Sequence, residues 1–241
     1  MIRDIPDWLT SGAFAHRGLH SADAAENSPS AAREAIAAGY GIECDIQMSR
    51  DNVPLVFHDW ELDRLTREHG AVAERPARDL CQIGLSKGPD TIWRLGDLLE
   101  VAAGTTPLLI EVKSHPGFDI ERACESVARV IAGYSGPLAV MSFDYRAGEW
   151  FARNQPQTLR GLVATDTLDH GFKNAWRAPF AIDRSAPDFL AMDVRDLPNA
   201  IARLWRESGR PLLTWTVRTR ELREVAAQYA DANIAEAEGL A

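Results

Sequence analysis

The stretch GIECDIQ, Gly41 to Gln47, holds Glu43 and Asp45 two residues apart inside a strand-forming run. On an extended chain alternate side chains share a face, so both carboxylates look one way while Ile42, Cys44 and Ile46 look the other. Two like charges that close cost free energy unless a cation or solvent relieves them. The stretch is therefore either a wet strand edge or part of a metal site. The spacing recurs in PLLIEVK, where Glu111 and Lys113 share a face and Val112 turns away. Three carboxylates from two strands, completed by water, suit one hard divalent cation with oxygen ligands, Mg²⁺ or Ca²⁺. An all-oxygen donor set counts against zinc.

Two imidazoles join this set, His16 and His58, whose ordinary pKa near neutrality fits them for general acid and base work. Arg17 and Lys113 are cations suited to a phosphate. Metal ligands, an acid–base pair and two cations together point to cleavage of a phosphoester. Each residue also has a bland reading. Glu111 with Lys113 is equally a structural ion pair, Trp215 alone is a core residue, and His20, His69, His115 and His170 read as packed or solvated.

What must position these groups is a series of short apolar runs alternating with amphipathic stretches. The spacing predicts strands near 13–16, 41–47, 107–113, 137–141, 160–164, 188–193, 211–217 and 232–236. Helices are predicted near 28–38, 95–103, 119–132, 145–153, 197–208 and 219–228, with a further one around 170–180. Ser28-Pro29 reads as a cap followed by proline at the first helical position, and Gly39 closes that helix. Eight strands alternating with helices predict an α/β chain folded as a (β/α)₈ barrel, a single domain over 1–241. VPLVF (53–57) follows the second strand after Asp51-Asn52, a turn pair. It predicts an antiparallel hairpin that places His58 across from Asp45. The 48 residues from Asp59 to Thr106 exceed an ordinary connection and predict an insertion, with its helix, over the barrel mouth before the third strand. Barrel enzymes place chemistry at the carboxyl ends of their strands. Those ends carry His16, Arg17, Glu43, Asp45, Glu111, Lys113, Ser142, Asp193, Trp215 and Glu236.

Composition narrows the partners. With 46% apolar and 25% charged residues the chain has ordinary globular content. A net charge of −9 argues against a nucleic-acid surface, which needs a basic face. Cys44, Cys81 and Cys124 lack metal-site spacing and read as reduced thiols. The amino terminus has no apolar signal core and no run reaches membrane-spanning length, so the expectation is a cytoplasmic protein without membrane insertion. Nothing in the sequence specifies an oligomeric state.

In AHRG (15–18), EN (26–27), GIECDIQ (41–47), VPLVFHD (53–59), IEVK (110–113), MSF (141–143), GL (161–162) and TWTV (214–217), the chain resembles the glycerophosphodiester phosphodiesterases. These motifs run in order through nearly the whole chain. The resemblance implies a TIM barrel that hydrolyses glycerophosphodiesters to sn-glycerol 3-phosphate and an alcohol. It implies His16 and His58 as the catalytic pair, Glu43, Asp45 and Glu111 around one metal, and Arg17 and Lys113 on the phosphate. Trp215 would lie under the glycerol, with Glu26 and Asn27 behind the site. The close NIAEAEGLA lacks the family's common Thr-Asp-x-Pro, so the resemblance gives Glu236 no role. Other readings are a lysophospholipase D, a silent barrel that binds a phosphoester, and a metal-dependent lyase or aldolase. The charged, Pro/Gly-marked insertion offers no clear acyl groove, and two retained histidines count against mere binding. The HRG and HD motifs count against the lyase, though fold alone does not exclude it.

Overall fold

The computed structural model describes residues 3–166, 176–178 and 180–240. Eight parallel strands close on themselves: β1 (Phe14–His16), β2 (Gly41–Met48), β5 (Leu108–Val112), β6 (Leu138–Ser142), β7 (Leu159–Ala164), β8 (Phe189–Asp193), β9 (Leu212–Val217) and β10 (Ala232–Ala235). Closure is made by β1, which pairs with β2 on one side and β10 on the other. All eight lie where the apolar runs place them. Two short strands are additional. β3 (Pro54–Val56) returns antiparallel to β2, and β4 (Trp93–Arg94), which the sequence pattern does not reveal, pairs with β3.

Alternation decides what faces inward. Phe14, Leu109, Ala139, Met141, Val163, Phe189, Leu213 and Ile234 fill the barrel as one cluster. Ile42, Cys44, Ile46, Leu108, Ile110 and Val112 face the helices. Gly161 belongs to the inner face, where an added Cβ would lie 2.3 Å from the Phe189 ring. Leu9 and Trp8, from a 3₁₀ turn over Asp7–Leu9, pack against the inner cluster. Trp8 shares a surface cleft with the residues that begin β6 and β7, so this turn forms the floor of the barrel.

The helices are α1 (Pro29–Ala37), α2 (Ala77–Leu80), α3 (Leu95–Ala102), α4 (Ile120–Ile131), α5 (Tyr145–Asn154), α6 (Ala181–Ser185), α7 (Ala200–Glu207) and α8 (Arg220–Tyr229). The Ser28 hydroxyl accepts from Ala31 N at 3.1 Å, as its cap position predicts. Helix α7 begins three residues later than the pattern suggests, because Pro198 precedes it and Asn199 is the cap, accepting from Ala202 N at 2.8 Å. Residues 170–175 and 179 of the helix expected around 170–180 lie outside the described residues, and α6 follows them. No described helix is long and apolar enough to cross a membrane. All three cysteines are free, with Cys44 and Cys124 buried.

Two expectations about the region after β2 need correcting. The hairpin turns through three residues, Arg50, Asp51 and Asn52, closed by Ser49 N–H on Val53 O at 3.2 Å, with Asn52 at φ 60°. A three-residue turn ending in a left-handed residue shifts the register by one from a two-residue turn. Phe57 therefore faces Asp45, donating to its carbonyl at 3.0 Å, and His58 follows one position beyond. Helix α3 does not cover the mouth. Leu95, Leu98, Leu99 and Ala102 recur at i, i+3, i+4 and i+7 and pack on the outer wall with Ile42 and Cys44. The rest of the insertion has its own core of Leu62, Leu65, Val72, Leu80, Ile83 and Ile92, joined to Leu55 and Phe57 of the hairpin.

Candidate active site

Inward alternation delivers the chemistry to one rim. On β2 the inner positions are 43 and 45, on β5 they lead to 109 and 111, and on β10 to 232 and 234 with Glu236 next. Carboxylate oxygens of Glu43, Asp45 and Glu111 lie within 4.8 Å of one another, and all three side chains are buried. The opening alternative is thus decided against a wet strand edge, since Glu43 and Asp45 are each 2% exposed. Lys113 Nζ bridges two of them, 3.2 Å from Asp45 Oδ1 and 3.0 Å from Glu111 Oε1.

Arg17 adopts φ 59°. That turn aims its backbone N–H at Glu43 Oε2, 3.1 Å away. Its guanidinium pairs with Glu26, and its Nε lies 3.2 Å from Asp45 Oδ2. This last contact is charge attraction without alignment, so the buried Nε–H has no hydrogen-bond acceptor. Asn27 holds Asp45 twice, donating from Nδ2 to Oδ2 at 2.9 Å and accepting from Asp45 N at 3.2 Å. Trp93 of β4 donates from its indole to Asn27 O at 2.7 Å, so the added strand braces the residue that braces the carboxylate.

The two imidazoles are each bound on Nδ1 by a carboxylate. His16 Nδ1 lies 2.8 Å from Glu236 Oε2 and His58 Nδ1 lies 2.6 Å from Asp59 Oδ1. The other nitrogen of His16 turns toward the acidic cluster, 4.0 Å from Glu43 Oε2. Gln47, on the same face of β2 as Glu43 and Asp45, donates to His58 O at 3.0 Å and anchors the returning arm. Glu236 also accepts from His20 Nε2 at 3.1 Å and pairs with Arg218. His16, His20 and Glu236 form a second close trio, and the bridging carboxylate accounts for it.

Electrostatics separates the acidic groups. Burial pushes Glu43 well above the usual carboxylate range, and the charges of Asp45 and Glu111 push the same way. Burial acts on Asp45 too, but Lys113, His58, Arg17 and His16 outweigh it and hold that carboxyl far below its usual range. Burial works against charge on Lys113, yet Asp45 and Glu111 raise it. His16 is lowered from 6.5 by burial, against the raising effect of Glu236. Glu236 is held low despite burial by its bonds to His16 and His20.

On the far side of the rim, Trp215 is half-buried, its indole donating to Ala191 O at 2.8 Å and its ring meeting Phe143 edge-on at 5.3 Å. Ser142 and Asp193 have structural work. The Ser142 hydroxyl donates to Val112 O, and Asp193 accepts from Arg195 N at 2.9 Å. Of the histidines set aside, His20 joins the site, His69 pairs with Asp63 on the surface, and His170 lies outside the described residues.

A model of the glycerophosphoryl diester phosphodiesterase family matches residues 16–239. The chain belongs to this family. Among relatives of the phosphodiesterase, YhdW of Bacillus subtilis (strain 168), provisionally named a glycerophosphodiester phosphodiesterase, is 26% identical over 218 residues, covering 86% of each chain. An Oleispira antarctica phosphodiesterase solved with the product sn-glycerol-3-phosphate superposes with TM-score 0.82 at 23% identity, over 95% of this chain and 93% of that one. A Thermotoga maritima glycerophosphodiester phosphodiesterase gives TM-score 0.75 at 21% identity, over 95% and 94%. At these identities the two structures establish a shared fold. Sequence reasoning passed over Asp59, Gln47, Trp93 and His20 as site residues. Asp59 was signalled by its adjacency to His58 and Gln47 by its place on the Glu43 face, whereas nothing local marks Trp93 or His20.

Proposed function

We propose that this phosphodiesterase hydrolyses a glycerophosphodiester to sn-glycerol 3-phosphate and an alcohol, using one divalent cation, Mg²⁺ or Ca²⁺, held by Glu43, Asp45 and Glu111. The observation that carries the reading is the convergence of those three buried carboxylates within 4.8 Å. Their donor set is all oxygen, which fits a hard cation, and such an ion relieves both the burial of charge and the repulsion from Asp45 and Glu111 that push Glu43 upward. When bound, the cation supplies stabilisation of negative charge developing on the phosphoryl group.

The chain's own groups perform the rest. Arg17 offers its guanidinium, and Lys113 its ammonium, to phosphate oxygens. The Glu236 carboxylate keeps the His16 proton on Nδ1, leaving Nε2 as the base toward the rim. His16 Nε2 takes the proton of the nucleophile, water or the substrate's 2-hydroxyl, and His58 gives a proton to the departing alkoxide; on the 2-hydroxyl route a cyclic phosphate forms, which water then opens to glycerol 3-phosphate. Trp215 and Phe143 offer an apolar wall to the glycerol carbons. Most apolar residues of the insertion are occupied by its own core or by the outer wall of the barrel, which favours a water-soluble diester over a lysophospholipid.

The test is release of glycerol 3-phosphate from glycerophosphocholine and glycerophosphoethanolamine after chelation, then with Mg²⁺ or Ca²⁺ restored. Release should vanish on chelation and return with one of the ions. Full activity in excess chelator would sink the metal assignment, and no release under any condition would sink the substrate.

A further inference from the structure

Glu236 meets two imidazoles at one oxygen. Its Oε2 lies 2.8 Å from His16 Nδ1 and 3.1 Å from His20 Nε2. Its other oxygen, Oε1, pairs with Arg218, which leaves Oε2 to the rings. The turn between the two histidines makes this possible. Arg17 and Gly18 both take positive φ, 59° and 76°, and His20 N donates to Gly18 O at 3.0 Å. Two left-handed residues in succession fold the chain back and bring the second ring beside the first.

The three donor atoms lie within 4.8 Å of one another. Tetrahedral zinc, with bonds of about 2.0–2.1 Å, sets its ligand atoms about 3.3 Å apart. The two separations that involve Glu236 fall within about half an ångström of that spacing already. Donor chemistry separates this trio from the carboxylate trio on β2 and β5. Two imidazole nitrogens with one carboxylate oxygen suit Zn²⁺, whereas Mg²⁺ and Ca²⁺ prefer oxygen alone. The trio is also within reach of an arriving ion, since the side chains of His20 and Glu236 are 28% and 17% exposed. Two cations lie near, and each is engaged elsewhere. Arg218, 55% exposed and screened by solvent, holds the oxygen that zinc does not need, and the Arg17 guanidinium turns to Glu26 and Asp45.

We propose that His16, His20 and Glu236 form a second metal site, one that takes Zn²⁺ and stops the enzyme by occupying the catalytic imidazole. Without zinc, Glu236 keeps the His16 proton on Nδ1, and Nε2 is the base. A neutral imidazole carries one proton, so a metal on Nδ1 moves that proton to Nε2. The base is lost, while Glu43, Asp45, Glu111 and Lys113 keep their places. Zinc binding stands on the geometry alone; the inhibition rests on the glycerophosphodiester reading above.

The experiment measures zinc binding to the full-length enzyme saturated with Mg²⁺ or Ca²⁺, by competition with a chromophoric chelator. Turnover of glycerophosphocholine is followed at rising Zn²⁺. The parent is compared with His20→Gln, which keeps an N–H for Glu236 and gives zinc a poor ligand, each against its own zinc-free rate. The parent should bind one zinc per chain and lose kcat with KM little changed. His20→Gln should need at least about tenfold more zinc for either effect, because even groups behind a metal's ligands are worth that much affinity. Nitrogen NMR of the parent should show the His16 ring proton move from Nδ1 to Nε2 as zinc is added, a measurement that needs no variant. Equal zinc affinity in parent and variant, or inhibition relieved by excess Mg²⁺, would put the ion at the carboxylates and overturn the site. Absence of any bound zinc would overturn it as well. Zinc bound through His20 with undiminished turnover would overturn the inhibition. Turnover of no glycerophosphodiester, with His20-dependent zinc binding intact, would sink the activity reading and leave the metal site standing.

Discussion

Each imidazole at the rim has its Nδ1 committed to a carboxylate, but the two carboxylates differ in what else holds them. Asp59 follows His58 directly and is fastened by Arg64, whereas Glu236 arrives from the last strand and is shared among His16, His20 and Arg218. In the proposed mechanism Glu236 acts through His16 as a positioning residue. Glu236→Gln should lower kcat by about 10²-fold with KM little changed, and Glu236→Asp should restore part of it. Nitrogen NMR of the His16 ring should find the proton on Nδ1 in the unaltered enzyme. A Glu236→Gln enzyme with kcat within twofold of the parent would remove the role. Glu43, Asp45 and Glu111 were legible because a period of two on a strand is a strong local signal. Glu236 obeys the same period along β10, but its histidine partners lie 220 and 216 positions away in the chain, and no spacing rule reaches that far.

At the scale of elements, the loop after β1 and the insertion are tied by one carboxylate. Glu26 accepts from both Arg17 and Arg64, which lower its pKa from 4.5 to about 2 against the opposing effect of burial. A folded-state pKa below the unfolded value contributes stability that is fully present above 4.5 and is lost as pH falls through about 2. Urea unfolding should therefore show Glu26→Gln less stable than the parent at pH 7, with the gap closing across that acid window. A gap independent of pH would mean that packing, and not charge, makes the tie. The strands and most helix ends were readable from period and caps. The hairpin register was not, because Asp51-Asn52 looks the same whether two or three residues make the turn. Nor was β4, two residues long and defined only by its partner.

For the whole molecule, closure depends on small residues where large ones fill the interior. Gly161→Ala would press a methyl against Phe189, and overpacking of this kind costs about 1–3 kcal/mol. The melting temperature should drop, and Phe189→Leu in the same chain should recover part of the loss. An unchanged melting temperature would show that the ring can move aside. A count of eight apolar runs was enough to read the barrel, since parallel strands buried on both faces stay apolar throughout. The wall taken by α3 was misread because insertion and barrel helix run together without a break in composition. Finally, the turn carrying Trp8 and Leu9 seals the end of the barrel away from the rim. Among the described residues, that end is filled by packed side chains. Both fragments of a cleaved molecule leave by the opening through which the next one arrives, so accumulating product contends with fresh substrate for a single doorway.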